Sequence, residues 1–227
     1  MPGIKGFTRV HDLPVRIPIF PLAGALLLPR TQLPLNIFEP RYLAMVGDAI
    51  AGHRIIGMMQ PLAEDASLAA DSAAMPAIYG IGCAGRISSF IEIDENRTLI
   101  TLAGIARFCV VREIAAQTPY RQVEADYSPF ADDLKSGHGE EVVDRQQVLT
   151  TFRAYLDANG LKTDWNEVRA ASNELLVNSL SSIAPFAVAE KQALLEAPSL
   201  GARAELLVAL TEMSLNRSDG GLGRQLQ

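Results

Sequence analysis

The sequence predicts an α+β protein, a curled β sheet with one helix over residues 1–128 followed by a four-helix carboxy-terminal bundle over 141–217. Three observations lead there. Apolar residues alternate in short β-branched runs between Val15 and Tyr127, and they recur with the period of about 3.6 of a helix beyond Val142. Between the two patterns lies 129–140, a polar stretch with Pro129, Gly137 and Gly139 that has the composition of a linker. Apolar residues make up 48% of the 227 and charged residues 20%, enough for both parts to build a core without a disulfide or metal staple.

The strand signals come in order. Ile17, Ile19 and Phe20, then Ile55, Ile56 and Met58, form short apolar runs. Tyr79 to Ile93 is longer, and Gly80, Gly82 and Gly85 mark it as bent or bulged. Asp94, Glu95 and Asn96 are turn residues, and beyond them Leu99, Thr101 and Ala103 fall on one face while Thr98, Ile100 and Leu102 fall on the other, a hairpin signal. Phe108 to Ile114 and Tyr120 to Tyr127 supply the last strands. Six or seven strands interrupted by one helix are expected to curl and close, because closure removes unpaired edges. That helix opens at Pro40, where a missing N–H costs nothing, and carries Tyr42, Leu43, Met45, Val46, Ala49 and Ile50 as far as Gly52. The small-residue stretch from Leu62 to Pro76 reads as a mobile loop.

In the second half, Val142 to Leu156 predicts a helix ended by Asn159 and Gly160. Trp165 to Leu180 predicts a second, opened by Asp164 with Glu167 three residues on. Ala187–Glu196 and Ser199–Leu215 predict two more, which short connections fold into a bundle. Residues 218–227, rich in glycine, read as a flexible tail.

Charge and motif content narrow the chemistry. A formal charge of −6 disfavours nucleic-acid binding, which rests on Lys and Arg displacing counterions from phosphates. The longest uncharged apolar run, Leu22 to Pro29, is far short of the ~20 residues that span a bilayer, so no membrane partner and a cytoplasmic location are expected. Cys83 and Cys109 lack the paired spacing of a zinc site and read as reduced, buried side chains. Neither GxxxxGK[ST], GxSxG nor HExxH occurs, and His11, His53 and His138 fall at exposed-type positions. The expectation is no catalytic residue, no metal and no cofactor. Glu39 and Arg41 flank Pro40 at the helix start, where Glu39 suits the positive helix end and Arg41 can pair with a carboxylate or stack on Tyr42. With the aromatic residues Phe38, Tyr42 and Phe90 they form the candidate peptide-contact set, weighed against an ordinary helix start and an ordinary core.

Particular motifs add a family likeness. Ile19-Phe20-Pro21-Leu22, then Leu28-Pro29, Leu33-Pro34-Leu35 and Ile37 to Tyr42 (IFEPRY) occur in the order in which they open the Lon protease amino-terminal, substrate-binding domain, which this chain resembles. The likeness recurs in Gly104, Arg107 and Phe108, in Pro119, Tyr120 and Ala125, and in the helical Glu190-Lys191-Gln192 with Leu194, Leu195 and Glu196. It implies a PUA-like β pseudo-barrel and a stand-alone form without the ATPase and peptidase modules. It also implies a non-catalytic protein that binds unfolded or exposed protein segments as an adaptor or chaperone-like factor, beside a protease or chaperone. Recognition would bury apolar side chains in a groove, with strand addition at a sheet edge. A PUA-like RNA-binding module is the alternative, and a small enzyme with an unfamiliar site the third. The protease's Ser-Lys chemistry finds no obvious counterpart: Lys191, near Ser181 and Ser182, reads as a residue of a solvated helix face.

Overall fold

Strand β5 (Arg97–Ile114) organises the architecture. The computed structural model describes residues 7–62 and 76–222, with side chains described as far as Arg217. From Arg97 to Cys109, β5 pairs with β4 (Ile81–Asp94). On its other side its first half pairs with β2 (Gln32–Ile37) and its second half with β6 (Gln122–Asp126). With β1 (Arg16–Pro21) and β3 (Ile55–Met59), the order is β2-β5-β4-β3-β1-β6, and the β5–β6 pairing closes β5, β4, β3, β1 and β6 into a barrel. β1 and β3 run parallel because β2 and helix α1 (Pro40–Ala51) form the crossover between them. The curled, closed sheet expected from the strand pattern is present.

Two apolar runs that read as separate strands, Arg97–Ala103 and Phe108–Ile114, are the two halves of β5. Gly104 lets the strand continue where the chain before β2 crosses it. A Cβ there would collide with the Leu28 carbonyl oxygen, and the Gly104 N–H donates to Thr31 O at 2.9 Å. Inside the barrel Phe108 is fully buried among Ile17, Ile19, Met59, Val123 and Tyr127. Gly82 makes room for it, since a Cβ at that position would lie 2.7 Å from the Phe108 ring.

Beyond β6, 3-10 turns at Ser128–Leu134 and Glu140–Val142 lead into helices α2 (Arg145–Ala158), α3 (Trp165–Ala170), α4 (Asn173–Ile183), α5 (Val188–Glu196) and α6 (Leu200–Leu222). The stretch that reads as one helix from Trp165 to Leu180 is divided between α3 and α4. Ala171 adopts extended backbone, and Ser172 starts α4 by accepting the Leu175 N–H at 3.2 Å. A strong serine cap inside an apolar repeat outweighed the repeat. The last helix extends to Leu222, past the end expected for the bundle, and 223–227 lie outside the described residues. So do 63–75, which hold most of the expected loop between Leu62 and Pro76.

One apolar core runs from the barrel into the helices. Leu27, Leu28, Tyr42, Met45 and Leu102 share it with Leu176, Val177, Leu194 and Leu207. Polar ties cross the same junction. The Arg107 guanidinium donates to both carboxylate oxygens of Asp133 at 2.8 Å and to the carbonyls of Leu195 (3.1 Å) and Ala197 (2.6 Å). Arg30 donates to Glu174 at 2.6 Å, and Gln192 to Ile81 O at 3.1 Å. Asn178 connects Pro29 O to Arg203, whose burial beside Arg107 pushes its pKa down to about 10. Asp133 and Phe130, which stacks on Arg107 at 4.4 Å, both come from the stretch of linker-like composition. Polar composition there reflects ion pairing rather than a free tether.

Candidate functional site

The β4–β5 hairpin projects past the barrel. β3 covers β4 only from Cys83 to Arg86, so Ser88–Asp94 have β5 as their one strand neighbour among the described residues. The turn is tight: Asp94 is opposite Arg97, and the Asp94 carboxylate accepts the Asn96 N–H at 2.9 Å. Pairing fixes the faces. Phe90 is opposite Ile100, which points to the core, whereas Ile91 is opposite Leu99 on the outer face. Because the arm extends beyond the barrel, both faces meet solvent there. Phe90 is 42% exposed, Ile91 56%, Ile93 51% and Leu99 39%. Phe38, 61% exposed, leaves the end of β2 and borders a depression at the turn with Asp94, Glu95, Asn96 and Arg97. Glu92, Asp94 and Glu95 against Arg97 give this end an acidic balance.

Of the expected contact residues, Phe90 lies on this arm and Phe38 beside its turn. Glu39 and Arg41 form an exposed ion pair of 2.7 Å at the start of α1, and the Glu39 side chain does not cap the helix. Tyr42 belongs to the core: it is 8% exposed, packs on Phe20 at 4.2 Å between ring centres, and has Arg41 over its ring at 4.6 Å. Burial pushes its phenol pKa up. Ile91, Ile93 and Leu99 were not singled out from sequence, although the run Phe90-Ile91-Glu92-Ile93 carries a signal. It places apolar side chains on both parities of a strand, and a strand with only one covered face must expose one set.

A second apolar cleft, about 270 Å³, opens between α2, α4 and α6, with Phe152, Leu156, Leu180, Ile183 and Leu207 in its walls and Lys162 at its rim. No grouping of His, Cys, Asp and Glu suited to a metal occurs among the described residues. The three histidines are exposed. Burial pushes the Cys83 thiol far up, which keeps it protonated.

Lys191 corrects its sequence reading. Instead of lying on a solvated face it is 8% exposed, and its ammonium donates across the junction to Gly24 O (2.6 Å) and, within the helical half, to Ser182 O (3.3 Å). Burial lowers its pKa. The Ser181 and Ser182 hydroxyls each donate to the carbonyl four residues back, so neither forms a pair with Lys191. The geometry makes Lys191 a structural tie. Among the described residues, no helix is long and apolar enough to cross a membrane.

Comparison with known proteins gives one consistent answer. A family model described as the ATP-dependent protease La (LON) substrate-binding domain matches residues 16–212. Lon protease 2 of Myxococcus xanthus is 27% identical over 215 residues, covering 90% of this chain and 24% of that protein. Lon protease of Flavobacterium johnsoniae is 24% identical over 197 residues, covering 86% and 23%. The chain thus spans about a quarter of the length of the curated relatives it matches. Among solved structures, the amino-terminal domain of Mycobacterium avium complex Lon protease aligns with a TM-score of 0.64 at 15% identity, covering 87% of this chain and 98% of that one. A Lon N-terminal domain protein from Xanthomonas campestris aligns with a TM-score of 0.56 at 23% identity, covering 86% and 97%. These two share the fold.

Proposed function

We propose that this chain, which belongs to the family of the ATP-dependent protease La (LON) substrate-binding domain, binds unfolded or exposed polypeptide segments without cutting them, as a substrate-recognition adaptor or chaperone-like factor. The observation that carries this reading is the projecting β4–β5 arm. It holds Phe90, Ile91, Ile93 and Leu99 in solvent at one end of a barrel whose other large apolar side chains are mostly buried. Scattered apolar residues on a surface need no explanation, but a contiguous group on an ordered hairpin is a recognition surface in many proteins. Burial of apolar surface contributes about 25 cal/mol per Å², so a few such side chains supply micromolar rather than nanomolar binding, which suits the transient capture of many clients.

The test is titration of the protein against a labelled, reduced and carboxymethylated model protein that cannot refold, with fluorescence anisotropy as the readout. Binding is expected to persist at about 0.5 M salt, where the Debye length is only a few ångströms, and to weaken at least tenfold in the Phe90→Ser/Ile91→Ser double variant. Binding lost on adding salt alone, or undiminished in the double variant, contradicts the reading. Binding of RNA in place of the unfolded protein transfers the case to a PUA-like nucleic-acid module.

A further inference from the structure

The arm offers main-chain groups as well as apolar side chains, and the pairing pattern identifies them. In an antiparallel ladder each residue directs its N–H and C=O to one side only, and the side alternates along the strand. Gly104 directs both groups toward the β2 side, exchanging bonds with Arg30 and Thr31. β5 has no bulge of its own between Gly104 and Thr98, so Leu102, Ile100 and Thr98 face β2, while Ala103, Thr101 and Leu99 face β4. Across the ladder, Ser89 and Ile91 therefore bond to β5, and Phe90 and Glu92 direct their N–H and C=O away from it. The same alternation holds lower down, where the Ile87 N–H faces away from β5 and is taken up by Arg54 O at 2.8 Å. Beyond Ile87 the described residues place no strand against that edge.

The sheet's other free edge is treated differently. On β2, Pro34 is opposite Thr101, which faces β4, so the proline nitrogen points to the open side and removes a donor there. The β4 edge carries neither proline nor lysine between Ser88 and Asp94. Bulges lie at Ile87/Ser89 and Glu92/Asp94, and they bracket a regular segment, Ser89–Glu92. One open edge is blunted and the other is left as a short, defined docking strip.

We infer that the Ser89–Glu92 edge of β4 takes an extended client segment as an added antiparallel strand. This inference rests on the polypeptide-binding reading and specifies its geometry. The added strand forms about four main-chain hydrogen bonds, through the N–H and C=O of Phe90 and of Glu92. Cross-strand neighbours set the preferred client. The residue opposite Glu92 is basic, in keeping with the acidic balance of Glu92, Asp94 and Glu95; the next, opposite Ile91, is apolar on the outer face; the third, opposite Phe90, is apolar or aromatic on the inner face. Read from amino to carboxy terminus, the recognised chemistry is basic-apolar-apolar in extended conformation.

The experiment uses the full chain and a fluorescent peptide of about ten residues with Lys-Val-Phe at the centre of a Ser/Thr frame. An N-methyl group on the peptide's Phe removes a donor that faces the edge, whereas one on its Val points to solvent. The first is expected to weaken binding about tenfold and the second less than about twofold. Glu92→Pro copies on this edge the device that Pro34 provides on the other. It leaves the β4–β5 ladder intact, as an unchanged circular-dichroism spectrum and melting point confirm, and lowers affinity about tenfold. In the complex, amide exchange slows at Phe90 and Glu92 but not at Asn36, which like Pro34 faces the open side of β2.

The failures separate. If Phe90→Ser/Ile91→Ser loses the peptide while Glu92→Pro and both methylated peptides bind normally, strand addition is wrong and apolar recognition by the arm stands. Equal affinity for the reversed peptide Phe-Val-Lys overturns the antiparallel register. A concentration-dependent dimer that protects the Phe90 and Glu92 amides without peptide assigns the edge to a second copy of this chain. No binding of any peptide, or binding that no arm variant alters, overturns the inference and the function it rests on together.

Discussion

At the junction, Arg107, Arg203 and Lys191 are buried, and carbonyls and a carboxylate surround them on several sides. On the β4–β5 arm, Phe90, Ile91, Ile93 and Leu99 stand in water with no described element over them. The two regions invert the usual rule that charge lies outside and apolar surface inside, and the difference separates two tasks. Buried charge is tolerated where every partner is geometrically fixed, and it then determines how the helical half sits on the barrel. Exposed apolar surface is tolerated where a partner covers it part of the time. The junction is built for one state and the arm for two.

Breaking the junction has the largest expected effect. Arg107→Ala leaves the Asp133 carboxylate with only the main-chain N–H of residue 107 and the carbonyls of Leu195 and Ala197 without their guanidinium donor, and unfolding by urea should show a loss of about 3–5 kcal/mol. Gly104→Ala follows, since the added methyl meets the Leu28 backbone rather than a flexible side chain; a loss of about 3 kcal/mol is expected in the same assay. Tyr120→Phe sharpens the comparison at intermediate size. The Tyr120 hydroxyl donates to Asp48 on α1 at 2.6 Å, and its removal should cost about 1–2 kcal/mol.

Tyr120 also predicts a pH dependence. Burial and the Asp48 carboxylate push its pKa up from 10 to about 12. The folded state therefore holds this proton more tightly than the unfolded state does. Its contribution is complete below pH 10 and is lost as pH rises toward about 12. Melting points of the wild type should fall toward those of Tyr120→Phe across that interval, and a constant gap contradicts the assignment. The smallest effect on stability belongs to the arm. Phe90→Ser/Ile91→Ser should change unfolding free energy by within about 0.5 kcal/mol per site while it removes polypeptide binding.

Much of this architecture was legible because local signals and burial agreed. The alternation Thr98-Leu99-Ile100-Thr101-Leu102 matches the buried and exposed faces of β5, and the Asp94–Asn96 turn forms the expected hairpin. The family motifs also acquire physical reasons. Gly104 permits a backbone crossing, Arg107 ties the junction and Phe108 fills the barrel. In the helical motif, Glu190 caps α5 by accepting the Ala187 N–H at 2.9 Å, while Lys191 and Gln192 reach Gly24 O and Ile81 O on the barrel side.

Other features were not legible, for an equally physical reason. Helical period alone does not reveal that a lysine points inward to a carbonyl from a distant segment, so Lys191 read as surface. Ser172 looked like one more residue of an apolar repeat until its hydroxyl capped α4. The candidate contact residues divided for the same reason. Phe38 and Tyr42 are aromatic neighbours in sequence, yet one leaves the end of a strand into solvent and the other packs on Phe20.

The central claim is that clients meet the arm rather than the other apolar depression, the cleft between α2, α4 and α6. Site-specific photocrosslinking tests it most directly, with the photoreactive side chain placed at Ile93 on the arm or at Leu161 in the wall of the cleft, and a permanently unfolded labelled protein as the client. The account predicts strong crosslinking at Ile93 that an unlabelled Lys-Val-Phe peptide displaces, with little at Leu161. Crosslinking confined to Leu161, or equal at the two positions and insensitive to the peptide, contradicts it.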